Sequence, residues 1–139
     1  MGPIYRHFIG NWELVAETCI YEQGETPVAG TYRIEESGGE LVFHLGWRDK
    51  AGEDHQYSFS TIPDGMPHDF NGGDLADSLS VTAVSEEELN SAAYYKGKEL
   101  MLAARTLVDG GMYMDVRQIV RLPDGTEPTN YSRYRRVPH

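Results

Sequence analysis

The 139-residue chain has one cysteine, Cys19, so neither an intramolecular disulfide nor a multi-cysteine zinc site is available to it. Cys19 is read as a small buried or half-buried hydrophobe rather than a catalytic thiol. Long apolar runs are missing too: Leu100-Met101-Leu102-Ala103-Ala104 is among the longest, far short of a membrane span. The first residues, Met1 to Ile9, hold Arg6 and His7 and show no signal-peptide pattern, so the expected compartment is the cytoplasm. Basic residues are scarce, 12 Lys and Arg against 22 Asp and Glu, for a net charge of −10. That balance argues against nucleic acid or an anionic membrane as partner. No G-x-S-x-G, H-E-x-x-H or phosphate-loop pattern occurs, and no catalytic residue is assigned.

The length and the 40% hydrophobic content describe one ordered domain spanning 1–139. Glycine-centred turn signals recur at a short period: Gln23-Gly24-Glu25, Ser37-Gly38-Gly39, Pro63-Asp64-Gly65, Lys96-Gly97-Lys98, Asp109-Gly110-Gly111 and Pro123-Asp124-Gly125 among them. Between them, apolar residues alternate with polar ones. Trp12, Leu14, Ala16, Thr18 and Ile20 share one face by this count. Leu41, Phe43, Leu45 and Trp47 repeat the pattern, as do Met112, Met114, Val116, Gln118 and Val120. The expected strands are 11–22, 28–36, 40–48, 54–61, 78–84, 88–96, 99–108, 112–122 and 126–137, with a short extra one near 67–70. Ser85–Glu88 can be read as a helical capping box, but the strand-like residues after it favour a hairpin turn. The result is all-β: a single antiparallel up-and-down barrel of about 9–10 strands with little or no helix, since closure removes the sheet edges.

The opening Phe8-Ile9-Gly10-Asn11-Trp12-Glu13-Leu14 is an F-x-G-x-W-x-L pattern, and the closing segment reads Tyr131-Ser132-Arg133-Tyr134-Arg135-Arg136-Val137. Together they resemble the first and last strands of the calycins, the lipocalins and fatty-acid-binding proteins. There the tryptophan plugs the closed barrel end and the last strand pairs with the first. Tyr95-Lys96-Gly97-Lys98, Ala104-Arg105-Thr106-Leu107 and Asp109-Gly110-Gly111 are similar to a group of bacterial lipocalin-like proteins of undefined role. The resemblance implies a barrel that binds a small molecule. It also has departures. The link Gln23–Pro27 is too short for the helical lid of fatty-acid-binding proteins. Their Arg-x-Tyr carboxylate pair, aligned on Tyr134, puts Ser132 at the arginine position, while Arg133 faces the other side. Haem barrels of this class need a C-terminal histidine, and only His139 is there, so no cofactor is expected.

Three functions remain in view. The first is a binding barrel for a small apolar or weakly acidic ligand. Tyr32, Phe43, Trp47, Tyr57, Phe59 and Tyr134 would form its walls, and Arg105 or Arg117 its interior charge. The second is a small lyase or isomerase using Tyr and His as acid and base. The third is a barrel filled by its own side chains that works through its surface. Residues 105–139 carry six Arg against four acids, which reads first as cross-strand pairing. His44, His55 and His68 lie at no ligand spacing, and the acids of 63–77 do not fit a calcium-binding hand, so no metal is expected. That long stretch is read as a flap over the barrel mouth. Oligomeric state stays open, a homodimer being one alternative.

Overall fold

The structure, a computed structural model, describes residues 2–70 and 76–138. Ten strands follow one another: β1 (Gly10–Tyr21), β2 (Ala29–Ser37), β3 (Glu40–Arg48), β4 (Asp54–Thr61), β5 (His68–Asp69), β6 (Ser78–Ser85), β7 (Glu88–Tyr95), β8 (Lys98–Val108), β9 (Tyr113–Val120) and β10 (Thr129–Val137). Apart from single 3₁₀ turns at Arg6–Phe8 and Asp109–Gly111, no helix occurs among the described residues. The ambiguous Ser85–Glu88 segment is a hairpin turn joining β6 to β7, and β5 is the short extra strand.

Every neighbour pair is antiparallel, in the order β4-β3-β2-β1-β10-β9-β8-β7-β6-β5. The first and last strands pair from Asn11↔Val137 to Val15↔Arg133 and so wrap the meander into a barrel. The barrel is nearly closed. Its two sheet ends, β4 on one side and β5 and β6 on the other, meet at a seam that carries no ladder.

Alternation and register fix which side chains point inward. The row Leu14↔Tyr134↔Met114↔Leu107 is interior, and so is the row Ile34↔Phe43↔Phe59. In β1 the expected face does not hold to the end of the strand. A bulge between Val15 and Ile20 shifts the register, so Ile20 pairs with Tyr131 on the outside and is 68% exposed. Tyr21, paired with Asn130, turns inward instead. The freed backbone finds a local substitute, because Thr18 Oγ accepts the Arg133 N–H at 3.0 Å.

One end of the barrel is packed solid. Phe8, Trp12, Ile34, Leu41, Phe43, Val81, Leu89, Leu107 and Met114 form a continuous buried cluster. Trp12 is its plug: 1% exposed, with its indole Nε1–H donated to the Phe8 carbonyl at 3.1 Å. The Arg136 guanidinium lies 4.2 Å over the Trp12 ring and donates to the carbonyls of Gly111, Ile9 and His7. Gly10 makes this approach feasible. Its φ of 139° suits glycine alone, and a Cβ there would stand 3.2 Å from the Arg136 guanidinium.

Replacing Trp12 by Ala should therefore cost about 3–5 kcal/mol, the range for deleting a large buried aromatic. Denaturant titration checks this. An unchanged unfolding midpoint would remove Trp12 from the core.

Candidate functional site

Arg105 stands at mid-barrel on β8, in register with Leu89 of β7 and Val116 of β9, and its side chain points inward. It is 2% exposed. Its Nε–H donates to the Tyr32 hydroxyl at 2.8 Å and its Nη2 to Ser91 Oγ at 3.0 Å. Nη1 makes longer contacts, 3.5 Å, to the carbonyls of Leu89 and Ala103. The guanidinium carbon sits 4.7 Å from the Phe43 ring centroid and 5.7 Å from that of Tyr32. Every one of these partners is neutral. The ion pairs among the described residues lie elsewhere. An arginine does not give up its proton, so this is a buried positive charge held only by dipoles and ring faces.

The hydroxyls of Tyr32 and Ser91 hold that charge, and others lie beside Tyr32. The Tyr134 ring meets Tyr32 edge-on at 5.3 Å, and Ser132, facing inward on the same strand, is buried. Burial pushes the Tyr134 phenol well above its ordinary value, with Tyr32 and Tyr21 adding to the effect. Burial likewise takes Tyr21 to about 12. These phenols stay protonated near neutral pH and serve as hydrogen-bond donors rather than bases.

Beyond this layer the interior opens. Trp47 and Tyr57 point inward by register yet are 39% and 47% exposed, so the mouth half is reached by solvent. Phe59 stacks on Phe43 at 4.6 Å, linking the open half to the arginine layer. At the rim a cleft of about 610 Å³ lies where β1 parts from β2, lined by Leu14, Glu17, Gly30, Trp47 and His55 among others. His55 stacks on Trp47 at 5.3 Å, and its Nε2 lies 2.8 Å from Asp49 Oδ2.

Of the residues expected to line an interior, Tyr32, Phe43, Trp47, Tyr57, Phe59, Arg105 and Tyr134 do face inward. Arg117 does not. It pairs with Ala104 and Tyr131 on the outer face and is exposed, because β9 turns Val116 and Gln118 inward and thus its neighbour outward. Among the described residues Arg105 is the one fully buried charge. Arg133 also faces out, bound to Asp115 at 2.7 and 3.0 Å, which leaves Ser132 at the inward position. Ser132 stands inward as its alignment with the arginine position implies, whereas Tyr21 and Ser91 belong to the site without a signal in the sequence. A bulge hides Tyr21, and a small serine gives no signal against the alternation.

Other polar clusters have simpler explanations. Asp49, Glu53 and His55 bring donor atoms within 4.8 Å of one another, the one such trio found among the described residues. Turn hydrogen bonds account for it, since Asp49 Oδ1 accepts the Glu53 N–H at 2.9 Å. On the outer face His44 lies 2.9 Å from Ser58 Oγ and 3.2 Å from Glu35, a serine–histidine–carboxylate string. Its strand, β3, runs between β2 and β4, so the amides there are spent in ladders rather than free for an oxyanion. Of the expected flap, Asn71 to Leu75 lie outside the described residues. The part before them is tied to β6 by Gly65 N–H to Val81 O at 2.9 Å and by β5.

The fold is that of the calycin barrels, the architecture of fatty-acid-binding proteins. A Schistosoma mansoni fatty acid binding protein solved with arachidonic acid superposes with a TM-score of 0.61 at 16% identity, over 98% of this chain and 100% of that one. Zebrafish ileal bile acid-binding protein with cholic acid gives 0.56 at 12% identity, over 94% and 99%. No protein-family model matches the sequence, and no curated protein does.

The hydrogen bond to Asp49 raises the His55 pKa above its ordinary 6.5, against a smaller opposing effect of desolvation. With the folded value raised, protonated His55 favours the folded state. That contribution is complete below about pH 6.5 and vanishes as the pH rises through the folded value. NMR titration should place the His55 midpoint above 6.5, and Asp49→Asn should bring it back down.

Proposed function

We propose that this protein binds one small lipophilic acid inside its barrel, the acidic group on Arg105 and the apolar body in the mouth half. The observation that carries the reading is the uncompensated charge of Arg105, buried to 2% with neutral partners only. Burying a cation without a counter-ion costs folding free energy, and a ligand carboxylate would return it. Tyr32, Tyr134 and Ser91 then serve as further donors around the acid. Phe43, Phe59, Tyr57 and Trp47 offer apolar and partly wet walls along a path to the rim. The two solved proteins named above were each caught with an organic acid, which fits this assignment of ligand class.

A lyase or isomerase on the same barrel has less support. Such chemistry wants a base near the operating pH. The inner phenols are raised far from it, while His55 sits at the rim in the hold of Asp49. A wholly filled barrel fits the closed end but not the exposed, inward-facing Trp47 and Tyr57.

The test pairs a fatty acid with its methyl ester, measured by calorimetry on the parent and on Arg105→Met. The parent should bind the acid saturably at one site per chain. Losing a buried charge contact of about 2 kcal/mol should weaken the acid about thirtyfold in the variant and barely touch the ester. Met at a buried, unpaired charge should leave the thermal unfolding temperature unchanged or raise it. Equal binding of acid and ester by both proteins, or no saturable binding by the parent, would overturn the proposal.

A further inference from the structure

Phe70 is an unassigned aromatic that belongs to the interior. It follows β5, where His68 pairs with Leu79 on the inner face and Asp69 with Ser78 on the outer. Its N–H donates to the Asp77 carbonyl at 2.9 Å, continuing the ladder by one residue, so alternation returns Phe70 to the inner side. Its ring packs on the buried cluster Ala76, Leu79 and Ala93, with Met101 and Phe59 on the same cluster. Two of those three buried residues are alanines, and a ring seats where the strands offer no bulk of their own.

The anchor of this ring is firm. Asp77 N–H donates to the Tyr94 carbonyl at 2.9 Å, and Asp77 Oδ2 accepts the Lys96 N–H at 2.9 Å. Phe59 approaches from the other side of the seam. It stacks on Phe43, over which the Arg105 guanidinium lies. Packed apolar side chains therefore connect the charge at mid-barrel, through Phe43 and Phe59, to the cluster that Phe70 covers.

We infer that Phe70 sets the length of ligand the barrel accepts, its ring standing where the far end of a long apolar chain would otherwise lie. This rests on the binding proposed above, with the acid on Arg105. A ligand anchored at its acid meets Phe70 only if its chain is long, so the effect grows with chain length and is absent for short acids. A residue that merely held the fold would weaken all ligands alike.

The experiment is calorimetric titration of the parent, Phe70→Ala, Phe70→Leu and Phe70→Trp with octanoate, dodecanoate and hexadecanoate. In Phe70→Ala, hexadecanoate should gain about tenfold in affinity, the lower range for fitting one more methylene into an apolar pocket, and octanoate should not change. Phe70→Trp should do the reverse for the long acid. Phe70→Leu, the mildest change, supplies the comparison if the alanine variant does not fold. A parent that binds these acids through Arg105, with variants that keep its chain-length profile, removes the role of Phe70 and leaves the binding intact. A parent that binds none of them takes down both.

Discussion

The pairing of β1 with β10 is the contact on which the remainder hangs. Seven residue pairs join the two ends of the chain, from Asn11↔Val137 to Tyr21↔Asn130, with a bulge on the way. Only this pairing sets Arg136 over Trp12, caps the packed end and gives the inner rows a common interior to face. It is also the least local contact in the molecule, across more than a hundred residues, and the loop entropy of closing it is met only when both strands exist.

Electrostatics follow from the same closure. Five of the six C-terminal arginines can reach solvent or outer-face acids: Arg121 meets Glu99 and Glu127, Arg133 meets Asp115, Arg135 meets Glu13, Arg117 is exposed, and Arg136 caps carbonyls. Arg105 alone is enclosed. In a chain of net charge −10 one positive group pairs with no acid among the described residues, and the fold spends stability to keep it there.

Much of the barrel was legible because one rule, alternation between glycine turns, is local and repeated. The nine long strands and the hairpin at Ser85–Glu88 followed from it, although the last two strands are shorter than the 112–122 and 126–137 it suggested. It misled at β1, where a bulge flips Ile20 outward, an event set by the partner strand and not by the local residues. Arg117 was the opposite case. Its place beside inward Val116 was visible in the sequence, but its charge suggested a role that the alternation denied. Nothing local distinguished Arg105, since β8 carries apolar residues on both faces, with Leu102 out and Ala103 and Leu107 in. Phe70 lies at the margin of a two-residue strand, too short for any period to show.

The seam between β4 and β6 gives this barrel a direction of compliance. Wherever two strands are paired, spreading them breaks a row of backbone hydrogen bonds and exposes amides that only water can then satisfy. At the seam the join is made by side chains, Phe59 and Phe70 on a few small residues, and they can slide without leaving a donor unpaired. The wall is therefore least bound along this seam and at the rim where β1 parts from β2, so a change in girth concentrates on those two lines.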